Sequence, residues 1–302
     1  MGNFRVWLSA ARLRTLPLSL SGIVTGAAMA WREHVFAWQV FVLAMLTTLG
    51  LQVLSNFAND YGDGIKGTDN ADRVGPARAL QSGLLTAQQF KKGIVVCTVI
   101  TLGLACWLIY VAFGTDDYLF SIVFFMLGLL AIVSAIKYTV GKWAYGYRAM
   151  GDVFVFVFFG LVGVCGSYFL FAKQLGWLHV LPAVTVGLLS TAVLNLNNMR
   201  DRLADAKVNK NTLAVLLGES RSKTYHTLLI FFAFVSATAY FVKTSSAFVL
   251  FIPLLALVPL FVHVIKVYKN EAPPLLDPEL KKVALGTFAF SVLFFVAALI
   301  AG

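Results

Sequence analysis

The sequence predicts an all-α polytopic membrane protein, one domain over residues 1–302, with nine transmembrane helices in a ring around a central cavity. Three observations predict it. Hydrophobic residues make up 59% of the chain and charged ones only 13%, where a soluble domain carries about 25% charge. Apolar runs long enough to cross a bilayer recur nine times. The basic residues gather on alternate connections between those runs.

In chain order the runs lie near 16–31, 36–57, 93–113, 118–137, 153–172, 177–196, 225–242, 247–265 and 283–301. The first is short and holds Pro17, Gly22 and Gly26. It also has features of a cleavable leader, with Arg5, Arg12 and Arg14 before it and Ala28-Met29-Ala30 near its end. With the N-terminus placed in the cytoplasm of a plasma-membrane protein, every one of the 24 Lys and Arg except Arg32, Lys173 and Lys243 falls on the inner side. The expected localisation is therefore multi-pass in that membrane, with the N-terminus and all long loops cytoplasmic. A net charge of +10 suits anionic lipid and an anionic substrate. The basic residues are too dispersed along short loops for a nucleic-acid partner.

Cys97, Cys106 and Cys165 all fall inside predicted spans and read as small packing residues. The four histidines are scattered, without metal-ligand spacing.

Two acidic clusters break the apolar pattern. One is Asn56-Phe57-Ala58-Asn59-Asp60-Tyr61-Gly62-Asp63; the other is Asn197-Asn198-Met199-Arg200-Asp201-Arg202-Leu203-Ala204-Asp205. A carboxylate at the bilayer centre costs ~2.5–3.5 kcal/mol, so such groups collect where they pair, meet water or bind ions. On a helix, Asn56, Asn59, Asp60 and Asp63 form one stripe, as do Asn197, Asp201 and Asp205 with Asn198 beside them. Asp and Asn oxygens are hard donors suited to Mg²⁺, which takes one or two carboxylates together with phosphate oxygens. The expected metal ligands are Asn59, Asp60, Asp63, Asn198, Asp201 and Asp205, holding Mg²⁺ on a diphosphate. Fixed cations aimed at a departing diphosphate lower its barrier, and Lys142, Arg200, Lys207, Lys210, Arg73 and Arg78 are the candidates. Asp60, Asp63, Asp201, Asp205 and Lys142 form the expected catalytic set.

The clusters lie in two faintly similar halves, about 10–140 and 150–270, followed by a final helix. After each cluster a loop runs through Pro76-Ala77-Arg78-Ala79-Leu80 or Lys210-Asn211-Thr212-Leu213-Ala214 to a glycine, Gly83 or Gly218. Loop 58–92 is long and glycine-rich and reads as a lid over the cavity. A third segment, Tyr138 to Arg148, carries three tyrosines ahead of the Phe-rich fifth span. Aromatic faces stabilise a nearby cation, and an allylic carbocation is one. Tyr138 and Tyr145, with Asn56, Arg148 and Arg14, are the candidate acceptor or prenyl contacts.

These motifs, taken in order, resemble the UbiA-type intramembrane aromatic prenyltransferases across essentially the whole chain. The most specific are Asn59-Asp60-Tyr61-Gly62-Asp63 with Lys66-Gly67-x-Asp69, the run Asp72 to Arg78, Tyr138-Thr139-x-Gly141 with Tyr145-Gly146-Tyr147, Asn197-Asn198-x-Arg200-Asp201-x-x-x-Asp205 and Lys210-Asn211-Thr212-Leu213. Arg14-Thr15-Leu16-Pro17 matches the family's first-helix entry, which favours a retained first span over a leader. Gly67 stands where the wider superfamily has a third aspartate, a pattern similar to the branch acting on 1,4-dihydroxy-2-naphthoate. Ala144 departs from the proline usual before Tyr-Gly-Tyr. The resemblance implies nine helices around a cavity open to lipid. It also implies Mg²⁺ as cofactor, and polyprenyl diphosphate and 1,4-dihydroxy-2-naphthoate as substrates. The expected reaction is decarboxylative prenyl transfer giving demethylmenaquinol.

Two alternatives stay open. One is a prenyltransferase of another aromatic acceptor, 4-hydroxybenzoate or homogentisate. A cation-coupled transporter would place its carboxylates near mid-membrane rather than at the cytoplasmic ends.

Overall fold

The structure is a computed structural model, and it describes residues 2–68, 78–244 and 247–301. Among the described residues every named element is helical, and in place of strands there is one isolated bridge, between Arg148 and Asn211. Eight helices among the described residues are long and apolar enough to cross a membrane. They are α3 (Trp38–Lys66), α4 (Ala87–Phe113), α5 (Tyr118–Lys137), α6 (Gly151–Ala172), α7 (Trp177–Lys207), α8 (Leu213–Thr244), α9 (Phe248–Lys269) and α10 (Pro273–Ala301). The ninth expected span is α2 (Leu16–Arg32), whose 17 residues sit at the short end of what a bilayer requires.

An additional helix, α1 (Gly2–Ala11), precedes them. Its Trp7 packs edge-on to Phe57 at 5.1 Å and against Phe90 at 5.6 Å, which fastens it to α3 and α4. Arg12 turns the chain through a left-handed conformation (φ 51°), and Pro17 then opens α2 in the first turn, where its missing N–H is harmless.

Small residues decide how closely the helices approach, as expected where lipid supplies no hydrophobic drive between them. A Cβ on Gly26 would lie 2.0 Å from Ser167 Oγ and 2.9 Å from both Tyr168 N and Val164 O. On Gly160 it would lie 2.6 Å from the Ala183 carbonyl and 2.7 Å from Gly187 Cα. So α2, α6 and α7 touch backbone to backbone. Within α6 the run Phe156–Gly166 is π-helical, a winding that often accompanies function. Far from the acidic clusters, Glu33 accepts from Tyr168 and pairs with His179 at 2.8 Å, while Arg32 donates to Thr244 O at 2.8 Å. These contacts lock the end of α2 to α6, α7 and α8.

Helices α1 to α7 and α10 wall one chamber. Helices α8 and α9 stand outside it, α8 along α7 and α9 against α10, so the ring around the chamber is smaller than the full set of spans. Gly83 (φ 69°) and Gly218 (φ 73°) both take the left-handed conformation, and Gly218 breaks α8 after its first turns.

The glycine contacts give a direct stability test. Gly26→Ala overpacks the α2–α6 contact and lowers the unfolding midpoint in detergent, at a cost of about 1–3 kcal/mol. Gly103→Ala, with nothing within 4 Å of the new methyl, leaves it unchanged or raised. Equal midpoints for the two variants would contradict the packing described.

Candidate active site

Both acidic clusters are helical. Helix α3 continues through Lys66, and α7 through Lys207, each two turns or more beyond its apolar run. The stripes therefore project as the spacing requires. Asn56, Asn59, Asp60 and Asp63 from α3, and Asn197 and Asn198 from α7, line a chamber of about 1340 Å³. The remainder of its wall is chiefly apolar, with Leu108, Phe124, Phe154, Phe158 and Phe159 among the lining residues.

Each carboxylate has its own partners. Asp60 accepts from the Ala79 and Leu80 amides, both at 3.3 Å, which fastens the start of the following segment over the helix. Asp63 accepts from the Tyr147 hydroxyl at 2.7 Å and faces Arg78 at 3.8 Å. Asp201 is gripped by Arg200 through Nε (3.0 Å) and Nη2 (2.8 Å). The same guanidinium donates to Asn197 Oδ1 at 2.9 Å and to Asp277 of α10. Asp205 pairs with Lys210 at 3.4 Å. Asp201 and Asp205 lie behind these cations: Arg200 and Lys210 reach the chamber wall and the two carboxylates do not. The sequence stripe placed Asp201 and Asp205 on the chamber itself. The displacement arises because a buried carboxylate takes the nearest cation.

Tyr147 joins the two clusters. Its hydroxyl donates to Asp63 and shares a hydrogen bond with Thr68 (2.5 Å). Lys66 sits 3.9 Å from its ring centre and Lys210 5.5 Å. Asp63, Asp201 and Lys210 all act electrostatically on Asp205, so the oxygen-rich patches converge. Thr139 fixes the approach of the tyrosine loop, donating to the Ala58 carbonyl at 3.0 Å and to Asn59 Oδ1 at 3.3 Å. A Cβ on Gly62 would meet the same threonine at 2.5 Å. Glycine there allows the loop to lie on α3.

The other expected residues divide. Arg14, Arg78, Tyr138 and Tyr145 line the chamber. Asn56 does too, but its amide is tied to the Ala11 carbonyl at 2.8 Å, holding α1 to α3. Tyr145 donates to Ser134 O at 2.9 Å and stacks on Phe154 at 3.9 Å. Burial pushes the Tyr145 phenol up. It pushes the Tyr138 phenol up as well, with Asp152, Tyr145, Asp63 and Asp205 adding to the effect, so both stay neutral donors. Lys142, Lys207 and Arg148 are exposed and stand outside the chamber wall; Arg148 lies 4.2 Å over the Trp143 ring. Arg73, with Asp69 and Asp72 and part of the expected lid, falls outside the described residues.

Sequence spacing passed over Tyr147, Asp277 and Lys281. The first sat in a quoted motif without a role. The other two begin the last helix, more than 70 residues from the nearer cluster, and no periodicity links them to it. It also missed the hydrogen bond between His226 and His263 (2.8 Å), residues brought together only by packing of α8 on α9.

The donor set is all oxygen, Asp and Asn, as a hard cation prefers. Among the described residues no three His, Cys, Asp or Glu side chains form a group able to hold a metal by themselves. The arrangement fits Mg²⁺ held by few carboxylates and completed by phosphate oxygens, with Arg78, Arg200 and Lys210 at hand for the phosphate charge.

Comparison with known proteins agrees with this geometry. The chain is 42% identical over 300 residues to the 1,4-dihydroxy-2-naphthoate octaprenyltransferase of Haemophilus influenzae, covering 99% of this chain and 97% of the relative. It is 39% identical over 292 residues to the protein of the same name from Escherichia coli, covering 96% and 94%. The fold matches a UbiA homolog from Archaeoglobus fulgidus, solved bound to DMAPP and Mg²⁺, with a TM-score of 0.64, 14% identity and coverage of 95% and 99%. The pattern of the UbiA prenyltransferase family spans residues 19–276, and the chain belongs to that family.

Proposed function

We propose that the protein transfers a polyprenyl group from polyprenyl diphosphate to 1,4-dihydroxy-2-naphthoate, releasing diphosphate and carbon dioxide and giving demethylmenaquinol. The observation that carries this reading is one chamber with two chemistries. Oxygen-rich helix ends and cations meet at one end of an otherwise apolar, aromatic wall. An amphiphile with a charged head and a long hydrocarbon tail fits that division. The match to the naphthoate enzymes, at 42% and 39% identity over nearly the whole chain, selects the acceptor.

Asp60 and Asp63, with Asn59 and Asn198, line the chamber and would hold Mg²⁺, and Asp201 and Asp205 would reach it as Arg200 and Lys210 turn to the diphosphate. The bound ion supplies Lewis-acid neutralisation of the departing diphosphate. Arg78, Arg200 and Lys210 already stand against these carboxylates; their guanidinium and ammonium groups orient the diphosphate and offset its growing charge. Tyr138 and Tyr145 face the chamber with neutral phenols and aromatic rings that favour an allylic cation. Phe124, Phe158 and Phe159 exclude water from it. Arg14 and Arg78, which line the chamber, are the basic groups available to the acceptor's carboxylate.

The site is proposed to face the cytoplasm of a plasma-membrane protein, since the basic residues concentrate on the side of both clusters.

Four measurements test this. Purified protein given Mg²⁺, a prenyl diphosphate and, separately, 1,4-dihydroxy-2-naphthoate, 4-hydroxybenzoate or homogentisate should yield by mass spectrometry a decarboxylated product from the naphthoate alone. A product from another acid instead would reassign the acceptor. Chelation should stop turnover and Mg²⁺ restore it. Asp63→Asn and Asp201→Asn should each lower kcat by roughly 10²-fold or more with folding intact, and near-normal activity in either would remove that residue from the site. In a cysteine-free background, Trp177→Cys (71% exposed) should react with an impermeant maleimide in intact cells, and Trp143→Cys (73% exposed) only after permeabilisation. The reverse pattern would invert the topology.

A further inference from the structure

Tyr147 is half-buried and does not line the chamber, yet groups from both acidic clusters gather on it. Its hydroxyl donates to Asp63 Oδ1 at 2.7 Å. A phenol has a single proton to give, so the Thr68 hydroxyl, 2.5 Å away, donates to the same oxygen. That second bond polarises the phenol and strengthens the first. The ring holds the Lys66 ammonium 3.9 Å from its centre and that of Lys210 at 5.5 Å. Lys210 pairs in turn with Asp205 at 3.4 Å.

The backbone leaves Tyr147 little freedom. Gly146 N donates to Tyr138 O at 3.0 Å, and Tyr147 N to Ala144 O at 3.2 Å. A Cβ on Gly146 would lie 2.7 Å from that same Tyr138 carbonyl oxygen, so glycine is what lets the chain turn there. The next residue, Arg148, bridges to Asn211, which directly follows Lys210. The tyrosine loop is thereby fixed to the end of α5 on one side and to the loop after α7 on the other. Packing alone would require only the ring. The hydroxyl is directed instead at a carboxylate that faces the chamber.

The type of donor matters. A carboxylate held by a cation must give up that partner before a metal ion can take it. A neutral phenol leaves the charge of Asp63 intact while fixing one of its oxygens. The other, Oδ2, meets Arg78 Nη2 at 3.8 Å, beyond a direct hydrogen bond. Carboxylates that ligate metal ions are themselves hydrogen-bonded in this way, which sets their orientation.

We infer that Tyr147 is a positioning residue of the diphosphate site, orienting Asp63 toward Mg²⁺ and holding Lys66 and Lys210 for the phosphate oxygens. The inference rests on the proposed prenyl transfer. Tyr147 acts through these three side chains and touches no reacting atom. Lys66, exposed at the end of α3, becomes a further cation for the diphosphate.

The test titrates purified full-length protein with Mn²⁺ alone, in place of Mg²⁺, and reads free Mn²⁺ by electron paramagnetic resonance. Tyr147→Phe keeps the ring and removes the hydroxyl, and should weaken Mn²⁺ binding by roughly 10- to 100-fold. In turnover it should raise the Mg²⁺ needed for half-maximal rate by a similar factor. Its kcat at saturating Mg²⁺ and its KM for prenyl diphosphate should stay close to wild type. Tyr147→Leu removes the ring as well and should also raise that KM, by roughly 2- to 5-fold. Wild-type Mn²⁺ affinity in Tyr147→Phe would overturn the inference, whether or not its unfolding midpoint falls. An unchanged KM in Tyr147→Leu would overturn the part assigned to the lysines. Wild-type protein that binds Mn²⁺ but prenylates no aromatic acid would overturn the transfer reading, while the Mn²⁺ comparison still decides the role of Tyr147. Wild-type protein that binds no Mn²⁺ would overturn both.

Discussion

Four carboxylates belonging to apolar helices, Asp60, Asp63, Asp201 and Asp205, are each between 1% and 6% exposed. Burying such groups unpaired is prohibitive, and much of the surrounding structure answers that constraint. The segment after residue 77 folds back so that the Ala79 and Leu80 amides reach Asp60. The tyrosine loop crosses α3 so that Tyr147 reaches Asp63. The last helix begins where Asp277 meets Arg200, and the loop after α7 turns so that Lys210 meets Asp205. Four otherwise separate connections are drawn to one end of the molecule by charges that need partners there.

The same pairing suits the site to a polyanion. A guanidinium or ammonium group held against a carboxylate is already oriented and already desolvated. Little further ordering is needed when a phosphate arrives to share it, and preorganised charge is what stabilises a developing anion. Away from that end the chamber wall changes to leucine and phenylalanine, a surface that gains nothing from water and accommodates hydrocarbon. The division between the two environments is kept sharp by close helix packing. Gly22, Gly26, Gly160 and Gly187 let α2, α6 and α7 meet without side chains intervening, so those helices are held at fixed separations around the space they enclose.

Much of the fold was legible in the residues. Each apolar run became a helix in the expected place, because the length of hydrocarbon to be crossed sets a run length that composition reveals. The boundaries differ mostly at the cytoplasmic ends: α3 and α7 carry their helical winding through Asp63 and Asp205, since a polar turn costs little helicity once its side chains have partners. The amphipathic α1 was not foreseen; it is held by Trp7 in a pocket between α3 and α4, a contact without local signature. Gly26, inside the short first span, is the means of packing that span against α6.

What the sequence determined by itself was the class of molecule, the order of its spans, the two stripes of oxygen donors and the residue types gathered near them. Those follow from hydrophobicity and from the 3.6-residue period, which are properties of a single stretch of chain. Only the tertiary structure decided which cations lie beside which carboxylates. It put Arg200 and Lys210 in front of Asp201 and Asp205, left Lys142 and Arg148 outside, and buried Asp152 beside Tyr225. Pairing and burial depend on groups far apart along the chain, and the energy of a charge is set by what surrounds it in space.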